Sequence, residues 1–224
     1  MRCEMNAYHP TLWRTSRVLA NVNRLACLKT VLLQPAITVG DVAVAARIPE
    51  NQASMCLRAL QSRGLISAQR VSRWTRYLPK ADSLVEHSTA VLKAVRKALI
   101  AAKMPEREII RTLTAFTHPR RLAILACLQT HPRMERSCLS AATRISQPAL
   151  LRHLTKLGLL GLVAEQDDVW RLTAHPDALA AAFLRVLSSG GLRSDVGLKR
   201  TSPFKPHPRK GESVSGFPTL DRNG

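Results

Sequence analysis

The chain repeats itself. Shifted by 97 residues, positions 13–67 fall on 110–164 without a gap. Arg14-Thr15 meets Arg111-Thr112, and Arg24-Leu25-Ala26 with Leu28 meets Arg121-Leu122-Ala123 with Leu125. Pro35 meets Pro132, Ala45 meets Ala142, and Arg47-Ile48 meets Arg144-Ile145. Leu57, Leu60 and Gly64-Leu65 meet Leu154, Leu157 and Gly161-Leu162. Fourteen of these 55 positions are identical, where an Ala- and Leu-rich composition gives about four by chance. Two copies of one small module leave little chain for a large catalytic domain.

Within a copy the apolar spacing is helical first and strand-like last. Val18, Leu19, Val22, Leu25, Ala26, Leu28 and Leu32 recur at helical spacing and end before Pro35. A short helix at about 40–47 and the break Ile48-Pro49-Glu50-Asn51 come next. A third helix runs from about 51 to 62, with Ala53, Cys56, Leu57 and Leu60 inward, and Gly64 stops it. Leu65–Ala68 and Trp74–Leu78 then read as two strands joined by a basic turn. The second copy follows suit, with Ser146 as predicted N-cap, Pro148 in the first turn, and strands at 162–164 and 169–172. Helix, helix, turn, helix and hairpin is the order of a winged helix-turn-helix. The fold class expected is mainly α with small β-hairpin wings (α+β), as two tandem winged helix-turn-helix domains. Their bounds are 1–80 and 109–190, with a linker helix in 81–108 and a disordered basic tail at 191–224.

Charge narrows the partners. There are 34 Lys and Arg against 15 Asp and Glu, a formal charge of +19. Residues 1–80 carry 12 basic and 3 acidic side chains, and 109–190 carry 10 and 5. A polyanion is the expected partner. Aromatic residues are 4%, too few for a single-strand binder built on base stacking. Lys29, Arg47, Lys93 and Arg96 interrupt the apolar runs, so a membrane span is not expected. Met1-Arg2-Cys3-Glu4-Met5 lacks a secretory apolar region, and the expected location is the cytoplasm, at the nucleoid. Five cysteines without a Cys-x-x-Cys argue against a disulfide framework or zinc ribbon. Walker, Gly-x-Gly-x-x-Gly and His-Glu-x-x-His motifs are missing, so no enzyme and no cofactor are expected.

The stretch Arg144-Ile-Ser-Gln-Pro-Ala-Leu-Leu-Arg-His-Leu-Thr-Lys-Leu157 resembles the recognition helix of ArsR-type winged-helix repressors. Val18-Leu-Ala-x-x-x-Arg-Leu-x-x-Leu28 and Ile37-Thr-Val-Gly-Asp-Val-Ala43 are similar to earlier segments of that family. The resemblance covers about 13–80 and 110–175. It implies a double-stranded-DNA-binding transcriptional regulator, acting as a repressor by occluding a promoter. It also implies that a metal-binding Cys-x-Cys would fall at Thr38 and Gly40, where the thiolates are absent, so no metal is expected. Met134–Cys138 lacks the pair as well, and Cys27, Cys56 and Cys127 fall on inward helical positions as core thiols. His87 with Asp82 and Glu86 could mimic the family's other metal site or simply line a solvated helix face.

The DNA contacts expected in the first copy are Asn51, Gln52, Ser54, Met55 and Arg58 on the third helix, with Arg70, Arg73 and Arg76 on the wing. Asn and Gln pair with adenine, Arg with guanine, and wing arginines with phosphates. In the second copy Gln147, Arg152 and Lys156 could face a groove. There Leu151 stands where the family has serine, and Glu165, Asp167 and Asp168 would repel phosphates. The first copy is therefore the expected reader. Leu84, Val85, Val91, Leu92, Val95, Leu99 and Ile100 form the apolar stripe of a linker helix at about 83–103, and a shorter helix spans about 176–188. Association is expected as a homodimer or as an intramolecular pseudo-dimer of the two copies. The alternative function is a winged-helix protein-docking or RNA-binding module with only non-specific DNA affinity.

Overall fold

The computed structural model describes residues 10–174 and 176–189. The basic tail predicted at 191–224 lies outside the described residues.

The first half is built from α1 (Pro10–Leu19), α2 (Val22–Leu33), β1 (Ile37–Thr38), α3 (Val39–Ala46), α4 (Glu50–Gln61), β2 (Ser67–Val71) and β3 (Trp74–Leu78). After α5 (Ser88–Arg96) and a π-helical turn (Lys97–Ala101), the order recurs. It runs α6 (Glu106–Ala115), α7 (Pro119–Thr130), β4 (Met134–Glu135), α8 (Arg136–Thr143), α9 (Gln147–Leu159), β5 (Val163–Gln166) and β6 (Val169–Leu172). Helix α10 (Ala178–Ser189) closes the described chain. Each half has one antiparallel three-stranded sheet, ordered β1-β3-β2 and β4-β6-β5.

Residues identical between the halves do the same local work. Arg24 donates through Nη1 to the carbonyls of Arg17 and Val18, both at 3.3 Å, closing the end of α1. Arg121 donates to the carbonyls of Ala115 and Thr114 at 2.9 and 2.7 Å, closing the end of α6. Arg47 and Arg144 end α3 and α8 in the left-handed conformation, with φ of 54° and 53°. Gly64 and Gly161 follow α4 and α9 at φ of +63° and +77°, which a residue without Cβ adopts at least cost.

The structure departs from the sequence expectations in several places. The apolar stripe from Val18 to Leu32 is two helices, not one. Asn21, at φ −145°, caps α2 by accepting a hydrogen bond from the Arg24 backbone N–H at 3.1 Å, the usual preference of an Asx side chain for a helix start. The linker helix begins at Ser88, five residues later than predicted. Asp82 N–H bonds the Gly64 carbonyl at 2.9 Å and the Asp82 carboxylate accepts from Leu84 N–H at 2.9 Å. That turn leaves Leu84 93% exposed, outside the stripe, while Val91, Leu92, Val95 and Leu99 are buried. Ser146 occupies the N-cap position without a side-chain cap bond. The two-residue strands β1 and β4 were not foreseen, and each fills one edge of a wing sheet.

The halves pack together as one body. Helix α1 packs on α6, α6 also on α2, and α10 on α5, α6 and α7. One apolar cluster runs through both halves, from Leu12 and Leu28 to Phe183 and Leu187. Phe116 and Phe183 meet at 5.2 Å between ring centroids. Lys29 Nζ on α2 bonds Glu106 Oε1 on α6 at 2.8 Å. Among the described residues no helix is long and apolar enough to cross a membrane.

Candidate nucleic-acid interface

Helix α4 buries Ala53, Cys56, Leu57 and Leu60 against the core. The 3.6-residue period then turns Asn51, Gln52, Met55 and Arg58 outward, all exposed, with Met55 at 71%. Ser54 is half-buried. Asn51 Oδ1 accepts from the Gln52 backbone N–H at 2.7 Å. Glu50 opens the helix, where a carboxylate is favoured by the N-terminal partial charge. An open groove beside it is lined by Gly40, Ala43, Val44, Arg47, Ile48, Pro49 and Glu50.

The first wing is a hairpin with a two-residue loop, Ser72-Arg73, closed by the Val71–Trp74 pair. Arg70 is exposed opposite Thr75. The Arg73 guanidinium lies 5.3 Å from the Trp74 ring centroid, and that ring stays 53% exposed. Arg76 differs from the other two. It is half-buried, and its Nη1 donates to the Ala36 carbonyl at 2.9 Å, tethering the wing to the chain entering β1. Among the described residues no ion pair engages Arg58, Arg70 or Arg73.

The second half differs in sign. On α9, Gln147, Arg152 and Lys156 are exposed, as is Leu151. The loop Asp167-Asp168 has φ of 54° and 60° at both positions, the left-handed pair of a tight hairpin turn. A cleft lined by Glu135, Arg136, Ser137, Gln147, Glu165 and Asp168 places Gln147 among carboxylates. This wing is also shorter: Tyr77 pairs with Ile37 thirteen residues after Gly64, and Trp170 pairs with Met134 nine residues after Gly161.

The cysteines and the candidate metal positions serve other ends. Cys27, Cys56 and Cys127 are buried and Cys138 is exposed. Burial, with Cys56 beside it, pushes the Cys27 thiol up to about 12. Thr38 caps α3, accepting from Asp41 N–H at 3.3 Å and donating to Asp41 Oδ2 at 2.6 Å. His87 Nε2 lies 3.2 Å from Glu86 Oε1. Among the described residues no three His, Cys, Asp or Glu side chains group as metal ligands.

Sequence reasoning assigned nothing to His118 and His153. In the 97-residue shift they fall on Asn21 and Cys56, and this double change to histidine was the available signal. Their rings meet at 4.7 Å between centroids.

A helix, short strand, two helices and a hairpin wing, with a polar helix face beside it, define a winged helix-turn-helix protein. Residues 118–165, from the start of α7 into β5, match the family described as bacterial regulatory protein, arsR family. This segment is similar to an arsR-type helix-turn-helix. Neither the curated proteins nor the solved structures include a match to the chain.

Proposed function

We propose that the chain is a sequence-specific, double-stranded-DNA-binding transcriptional repressor of arsR-like type without the thiolate metal site. Its two winged helix-turn-helix copies form an intramolecular pseudo-dimer. The observation that carries this reading is the pairing of like with like. Helices α1 and α6 occupy equivalent positions in the 97-residue shift and pack on each other, and α5 and α10, each following a wing, also pack on each other. Equivalent elements meeting each other is the hallmark of an isologous two-fold contact. Such a body presents two recognition helices to successive major grooves about 34 Å apart.

The first half reads. Asn51, Gln52, Met55 and Arg58 face out beside a wing bearing Arg70 and Arg73, whereas the second wing opposes phosphates with Glu165, Asp167 and Asp168. The target is therefore asymmetric. Footprinting with stoichiometry tests this: one chain on a non-palindromic site is expected, and two chains on a clean palindrome would overturn the pseudo-dimer. The acidic second wing favours one other reading, a protein-docking or RNA-binding module, which predicts sequence-indifferent DNA binding.

A further inference from the structure

Three helices bring cations to the histidine pair. His118 begins α7 and its Nδ1 accepts from the Arg120 backbone N–H at 3.1 Å, which places the proton of the neutral ring on Nε2. His153 lies on α9, one residue from exposed Arg152. The charged groups acting on the two rings are Arg17 from α1, Arg120 and Arg121 from α7, and Arg152 from α9, with each other's imidazole. Arg121 is held by the carbonyls ending α6 and by Thr117 Oγ1 at 2.7 Å. Arg17, Arg120 and Arg152 are exposed, and among the described residues no ion pair engages them.

A cationic cluster stabilises an anion. Burial and the surrounding arginines hold both imidazoles below their ordinary value, His153 at about 4. An oxyanion set among them would accept from ring N–H and guanidinium donors. It would also reverse the field that keeps the rings neutral.

We propose that His118 and His153, with Arg17, Arg120 and Arg152, form a binding site for a phosphate-type oxyanion, whose binding is coupled to proton uptake from solvent by the imidazole pair, His118 taking its proton on Nδ1 with release of its hydrogen bond from the Arg120 N–H. The same chemistry has two sources, a DNA backbone phosphate and a free oxyanion effector. Since His153 belongs to α9, a free oxyanion there would bias the pose of a recognition helix, and that regulatory role rests on the proposed function. Binding of the oxyanion does not.

The test is a histidine Cε1–H titration of the full chain by NMR. Signals are assigned with His118→Gln and His153→Gln variants. Sulfate, which stays dianionic from pH 4 to 8, is compared with chloride at matched ionic strength, and a second arm adds duplex DNA. A sulfate-specific rise of about one unit in both apparent pKa values, tenfold in proton affinity, supports a free-oxyanion site. A rise only with duplex assigns the site to a backbone phosphate. Equal shifts in sulfate and chloride, or none in either arm, overturn it. In a variant carrying Arg120→Gln and Arg152→Gln the rings remain as reporters. Their resting pKa values should rise and the sulfate response should vanish; an unchanged response would contradict the assignment.

Discussion

Gly64 and Gly161 are the same residue in the 97-residue shift, yet they bear different loads. A Cβ on Gly64 would lie 2.8 Å from Val85 Cβ, whereas one on Gly161 would meet nothing within 4 Å. Both positions are left-handed, so alanine at Gly161 should cost about 1 kcal/mol. Alanine at Gly64 should cost about 2–3 kcal/mol, because the turn carrying Val85 must also move. Urea unfolding of the two variants checks the ranking. His153 gives a pH prediction. Its folded-state value is about 4, lowered from 6.5 first by burial, then by His118, Arg121, Arg120 and Arg152. Between those values the unfolded chain binds the proton and the folded chain does not. Its contribution is whole above pH 6.5 and declines as pH falls toward 4. Stability curves of His153→Gln should therefore fall less steeply than those of the native chain across that window. Single residues were the least legible scale. Exposure of Asn51, Gln52 and Arg58 followed from periodicity, but the tether of Arg76 to Ala36 needs a third strand that sequence did not reveal.

Among elements, the two wings should behave oppositely. Among the described residues no ion pair engages Arg70 or Arg73, on a wing without carboxylates, while the second wing turns on Asp167-Asp168. Changing Arg70 and Arg73 to Ala should weaken binding to every duplex. It should also lower the slope of log affinity against log salt by about 0.9 for each phosphate no longer neutralised. Charge reversal of Glu165 and Asp168 should leave affinity unchanged or raise it. Fluorescence anisotropy over a salt series measures both. Elements announced by many residues were readable: α4 starts and ends within one residue of its expected bounds, and β3 matches its own. Strands β1 and β4 are two residues each, too short for alternation to register. The split between α1 and α2 depends on one capping asparagine, which an apolar count passes over.

For the whole molecule, the 97-residue shift carried most of the architecture, because identical Arg, Leu and Gly positions rebuild the same turns and core packing in each half. How the halves meet was not legible. The stripe of the linker helix says that it needs a partner, and only the fold shows that α5 takes α10. The central claim is that this body reads DNA sequence, chiefly through α4 and the first wing. Selection of bound duplexes from a random library at about 150 mM salt, where phosphate attraction alone is weakened, tests it directly. The native chain should be run beside a variant carrying Arg58→Ala, Arg70→Ala and Arg73→Ala. One asymmetric consensus, recovered by the native chain and absent from the variant, is the expected result. No consensus, with both proteins retaining duplexes equally, would contradict it and leave the charge as generic attraction.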